Sequence, residues 1–154
     1  MKQEFLERAV QLAINNVNNG AEPFGAIVVK NGQIVGEGVN RVKETNDPTA
    51  HAEIEAIRKA CQMLETTDLS DCELYASGEP CPMCLSTIYW TNIKTIYIAY
   101  TLDDAAMYGF SSAYLYEQIS LPKPKRDVQM KQIKFEKNFP HPYRLWKEKQ
   151  SGEN

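Results

Sequence analysis

His51-Ala52-Glu53, followed further along by Pro80-Cys81-Pro82-Met83-Cys84, is the part of this chain whose reading decides the rest. It supplies one imidazole, two thiols and one carboxyl group in a pattern that packing alone does not call for. Three soft or borderline ligands suit Zn²⁺, one ion per chain. Three protein ligands rather than four leave a coordination position for water. Zinc-bound water loses its proton near neutral pH, against about 15.7 for bulk water. Glu53, two residues beyond the histidine, is placed to carry protons to and from that water.

The flanking residues say how the ligands meet. Proline is tolerated in the first turn of a helix, so Pro82 starts one and Cys84 falls about one turn in. Cys81 and Cys84, at i and i+3, then point the same way. Asp47-Pro48 resembles a cap followed by a first-turn proline, which predicts a helix over Pro48 to Leu64 with His51 and Glu53 in its opening turns. Two helix N-termini would then aim their positive ends at one point, favouring thiolate and carboxylate. A closed structural zinc site would need a fourth ligand. The chain has only two histidines, His51 and His141, and no second Cys-x-x-Cys. A redox Cys-x-x-Cys would leave His51 and Glu53 unexplained, so the catalytic reading is preferred.

A chain of 154 residues is of ordinary single-domain size. Its first 20 residues carry no apolar signal segment, and no apolar run approaches the roughly 20 residues of a membrane span. The expected setting is therefore the cytoplasm, with no membrane partner. Cys61 falls on the apolar stripe Ile54, Ile57, Cys61, Leu64, and Cys72 opens a strand; both read as core thiols in a chain without disulfides. Residues 1–120 hold 8 basic and 16 acidic side chains, a net −8, whereas residues 121–154 hold 9 and 4, a net +5. The basic residues are spread out with few aromatics between them, so nucleic acid is not the expected partner.

Helical spacing from Phe5 to Val17, stopped at Gly20, predicts a first helix. Phe24–Lys30 and Gln33–Asn40, joined by Asn31-Gly32, read as a hairpin with a type I′ turn. Further strands are expected at Glu73–Ser77, Thr95–Tyr100 and Val128–Phe135, and further helices at Pro82–Trp90, Asp103–Met107, Tyr114–Gln118 and Pro142–Lys149. Trp90 and Tyr89 read as core or interface residues. The alternation argues an α/β fold: a three-layer α/β/α domain on a mixed, five-stranded sheet. Residues 1–154 form a single domain in this reading, with 121–126 (Leu-Pro-Lys-Pro-Lys-Arg) as a stiff segment and hinge before a last strand and helix.

The chain resembles the cytidine-deaminase-like superfamily, most closely its bacterial guanine deaminase branch. The likeness runs nearly end to end. It is carried by Pro23-Phe24-Gly25-Ala26, Gly36 to Asn40, Asn46 to Glu53, Glu79 to Cys84, Asp104-Ala105-Ala106 and Gly109-Phe110. His-x-Glu with Pro-Cys-x-x-Cys is the zinc-deaminase pattern. The resemblance implies hydrolytic removal of ammonia from an amino-substituted nucleobase or nucleoside: guanine, guanosine or isocytosine. It gives His51, Cys81 and Cys84 as zinc ligands, Glu53 as proton shuttle, and Asn40 and Phe24 as ring contacts. The backbone near Glu79 and Cys81 would help position the water. It also implies a homodimer, which in this family can exchange the last strand and helix. One position departs: relatives of this branch carry acidic residues after Gly-Phe, the second of them handling the base, and here Ser111-Ser112 follow. Serine is uncharged at neutral pH, so Ser112 cannot serve there as a carboxylate. A tRNA-specific adenosine deaminase and a catalytically inactive zinc-stabilised binding module are the alternatives, the first opposed by the acidic residues 1–120 and the second by Glu53.

Overall fold

The computed structural model describes residues 2–135 and 138–152. The chain divides into two compact units between Leu121 and Pro122. The first begins with α1 (Lys2–Asn18), β1 (Gly25–Lys30) and β2 (Gln33–Val39), followed by a single helical turn, α2 (Val42–Thr45). It continues through α3 (Ala52–Leu64), β3 (Cys72–Gly78), α4 (Pro82–Trp90), β4 (Ile96–Tyr100), α5 (Leu102–Ala106) and α6 (Ala113–Ser120). The second holds a short 3₁₀ turn at Lys123–Lys125 and α7 (Pro142–Ser151).

The sheet order is β2-β1-β3-β4, antiparallel except for the parallel β3–β4 pair. The β1–β2 hairpin turns at Asn31-Gly32, both with positive φ (49° and 74°), as a type I′ turn requires. Successive side chains of a strand face opposite ways, and the core divides accordingly. Ala26, Val28, Leu74 and Ala76 pack with Ala52, Ala56, Ile57, Ala60 and Ile88 from α3 and α4. Ile27, Val29 and Tyr75 pack with Phe5, Leu6, Ala9 and Leu12 of α1 on the opposite face. The Tyr75 ring contacts Phe5 at 5.3 Å and stacks on Tyr97 at 4.8 Å between centroids. This is the expected mixed α/β arrangement.

Three sequence expectations are corrected. The sheet has four strands among the described residues, because Val128–Phe135 pairs with none. Its apolar residues change phase between Met130 and Ile133, so the segment offers no single face to bury, and Val128 (80% exposed) and Ile133 (85%) are open to solvent. The helix expected from Pro48 begins only at Ala52. Asp47 Oδ1 instead accepts hydrogen bonds from the backbone and hydroxyl of Thr49, at 2.8 and 2.6 Å, which holds the backbone in a turn. Finally, of the two readings of Tyr89 and Trp90 the core one is overturned, since both lie exposed at the end of α4; the interface reading stands.

Candidate active site

The late start of α3 puts His51 at its N-cap, with extended backbone (φ −72°, ψ 157°), instead of inside the helix. Cys81 is the N-cap of α4 in the same manner (φ −69°, ψ 170°), with Pro82 as the first helical residue and Cys84 in the first turn. The two helix starts meet. His51 Nδ1 lies 3.5 Å from the sulfur of Cys81 and 3.5 Å from that of Cys84. The ligand atoms of His51, Cys81 and Cys84 all fall within 4.8 Å of one another. One imidazole nitrogen and two sulfurs at that separation fit a zinc ion, with the fourth coordination position left to a non-protein group.

The charges around this group follow from the hydrogen bonds within it and from burial. The Cys84 thiol donates to Cys81, and this bond, helped by His51, pulls the Cys81 thiol down to about 4. Cys84, the donor of that bond and buried, is shifted upward. His51 is raised, first by its hydrogen bond with Cys81 and further by the negative charges of Cys81, Glu53 and Glu22. Glu53, on the first turn of α3, is only 7% exposed. Burial pushes its carboxyl group up, opposed in part by the neighbouring Cys84 thiol. A buried carboxyl group beside the ligand set, with its pKa shifted upward, is equipped to accept a proton and return it.

Asn40 follows β2, is 5% exposed, and donates its backbone N–H to the Phe24 carbonyl at 3.3 Å. Phe24 stands ahead of β1, packs on the α3 side of the core, and meets the Phe110 ring edge-on at 5.3 Å. Ser112 caps α6, and its enclosed hydroxyl oxygen is the buried side-chain polar atom without a hydrogen-bond partner among the described residues. The Glu79 N–H is committed to the Tyr100 carbonyl at 2.8 Å.

Sequence reasoning missed two polar residues here. Tyr116 on α6 donates its hydroxyl to the Pro80 carbonyl at 2.5 Å, tying that helix to the cysteine-bearing turn. Burial, with the negative charges of Cys81 and Glu79 nearby, raises its hydroxyl pKa. Glu22, ahead of Pro23-Phe24, hydrogen-bonds Asn40. Glu22 and Phe24 also line a cavity of about 640 Å³ with Ser77, Gly78, Asp104 and Phe110. Helical spacing gives Tyr116 no polar signature, and Glu22 lies in a loop whose neighbours only folding reveals.

Residues 1–100 match the model of the cytidine and deoxycytidylate deaminase zinc-binding region. The chain is 46% identical to guanine deaminase from Bacillus subtilis (strain 168) over 146 residues, covering 94% of this chain and 93% of that one. The X-ray structure of Bacillus subtilis guanine deaminase superposes with a TM-score of 0.89, covering 95% of this chain and 93% of the other. The likeness to a tRNA-specific adenosine deaminase of Aquifex aeolicus (strain VF5) is 43% over 95 residues, covering 62% of this chain and 63% of the relative. A variant of NE0047 solved in complex with 8-azaguanine gives 31% identity and a TM-score of 0.70, covering 73% of this chain and 65% of that one.

Proposed function

The chain belongs to the zinc-binding cytidine and deoxycytidylate deaminase family and is a hydrolytic deaminase, and from that premise we propose that its substrate is guanine. The near full-length likeness to a guanine deaminase carries this reading, since the likeness to tRNA adenosine deaminases spans a smaller part of the chain. Hydrolysis breaks the bond from ring carbon C2 to the exocyclic amine and forms a carbon–oxygen bond. One water is consumed, and ammonia and the oxo-purine are released.

Zinc held by His51, Cys81 and Cys84 would supply a Lewis acid that brings coordinated water toward a pKa of about 7. The protein's own contribution is proton movement and orientation. Glu53 takes the first proton of the attacking water and passes it to a ring nitrogen, then takes the second from the newly formed hydroxyl and delivers it to the leaving amine. Asn40 gives the ring a hydrogen-bonding edge and Phe24 an apolar face, the usual division of a small-molecule pocket. The unpartnered Ser112 hydroxyl is offered to the base. The test is ammonia release across guanine, guanosine, isocytosine, cytosine, adenine and adenosine. Guanine as the best substrate is the expected result, and preference for a pyrimidine or an adenine compound defeats the reading.

The proposed macromolecular partner is a second copy of the chain, exchanging the part beyond Leu121. Val128, Met130, Ile133, Phe135, Phe139 and Trp146 are all at least 67% exposed, more apolar surface than a soluble chain usually leaves open. A dimer in solution that is lost when these residues are made polar is the expected result; a monomer in the unaltered chain overturns it. No helix among the described residues is long and apolar enough to cross a membrane.

A further inference from the structure

We propose that Glu22 is a positioning residue for this deaminase: its carboxylate fixes which way the Asn40 carboxamide faces, and so which donor and acceptor the substrate ring meets. Asn40 Nδ2 donates to Glu22 Oε2 at 3.2 Å, while Asn40 Oδ1 accepts the Val42 backbone N–H at 3.1 Å. An ionised carboxylate only accepts and a backbone N–H only donates. Turning the amide over would set oxygen against the carboxylate and N–H against N–H, so both neighbours select one orientation. The amide then keeps one N–H and one oxygen lone pair for a ligand.

The two residues are also held at fixed spacing. Asn16 of α1, itself 7% exposed, donates through Nδ2 to the carbonyl of Glu22 at 2.7 Å and to that of Asn40 at 3.0 Å. A buried side chain thus joins the loop before β1 to the end of β2. Glu22 lines the same cavity as Phe24 and Phe110, and its charge reaches the His51 ring. Its side-chain hydrogen bond is to Asn40, so its influence on the ring contact runs through Asn40.

The inference rests on the deaminase reading of Asn40, and a mutant cycle on the zinc-loaded enzyme separates the two. Ammonia release from guanine is measured for the unaltered chain, E22M, E22Q, N40A and E22M/N40A, with zinc content and Tm determined for each. E22M keeps the side-chain length without the acceptor, and E22Q restores an acceptor oxygen. Losing a charge-assisted hydrogen bond is expected to raise KM by about tenfold in E22M with kcat changed less than about threefold. E22Q is expected within about threefold of the unaltered enzyme, and E22M is expected to add less than about twofold in the N40A background. Additive effects of E22M and N40A, an unchanged KM in E22M, or an E22Q as impaired as E22M overturns the role of Glu22. Failure of the unaltered chain on guanine overturns the functional reading along with it.

Discussion

The bare Cα of Gly38 on β2 faces the backbone of Ala52, the residue between His51 and Glu53. A methyl group on Gly38 would overlap the Ala52 carbonyl oxygen and lie 2.5 Å from the Ala56 nitrogen. Gly36 stands in the same relation to Ala56 and Ala60. Two glycines under three alanines let α3 lie directly on the strand, and that contact sets how deep His51 and Glu53 sit.

G38A therefore forces α3 off the sheet, because the clash is with backbone and no side-chain rotation relieves it. Overpacking of this kind costs about 1–3 kcal/mol. A drop in Tm together with substoichiometric zinc in the purified protein is expected. Full zinc occupancy with unchanged turnover would show that the ligand geometry tolerates the displacement.

Glu53→Gln tests the proton carrier. Glutamine preserves size and can still hydrogen-bond Cys84, but it cannot take a proton at neutral pH. Proton-transfer groups of this kind contribute about 10²–10⁴-fold. Turnover is expected to fall by at least that much with zinc content and thermal stability retained. Retained turnover would remove Glu53 from the proposed mechanism.

Much of this site was legible before folding because its signals are local. Pro82 beside Cys81 fixes the start of α4, and i, i+3 spacing aligns the two thiols whatever the rest of the chain does. The start of α3 was not legible, since Asp47-Pro48 is equally compatible with a capped helix and with the turn in which Asp47 captures Thr49. A pairwise contest between two local hydrogen bonds decided it. Val128–Phe135 failed as a strand for a different reason: its apolar residues change phase between Met130 and Ile133, and no described strand pairs with it. Glu22 and Tyr116 were invisible because each acts on a residue distant in sequence, Asn40 and Pro80, with no spacing rule linking them.

Zinc uptake should be strongly pH-dependent. Without metal, Cys81 is the thiolate of the pair, while Cys84 keeps its proton and donates it to Cys81. Cys84 must give up that proton to ligate, and His51, itself raised by its bond to Cys81, must be neutral. Raising the pH removes both obstacles, so affinity increases with pH, by about tenfold per unit for each proton displaced. Chelator competition between pH 6.5 and 8.5, paired with calorimetry in two buffers of different ionisation heat, reads the slope and the proton count. An affinity flat across this range would contradict the assigned protonation.

Ser112→Ala separates a structural hydroxyl from one held for a ligand. The Ser112 oxygen is enclosed and forms no hydrogen bond within the described chain, so burying it costs free energy that nothing internal offsets. Removing it should leave Tm unchanged or slightly higher, since no bond is lost. If the hydroxyl meets the base, kcat/KM for guanine should nevertheless fall by about tenfold, the effect of one uncharged hydrogen bond in an enclosed site. Stability and activity moving in opposite directions is the diagnostic outcome, because a residue that only packs would move them together. Adding Ser112→Asp to the same series shows whether charge at this position narrows the choice among guanine, guanosine and isocytosine. A narrower preference is expected, since a carboxylate demands an N–H partner that these ligands present differently. An unchanged profile in both variants would place the ring away from α6 and leave Asn40 and Phe24 as the specificity contacts.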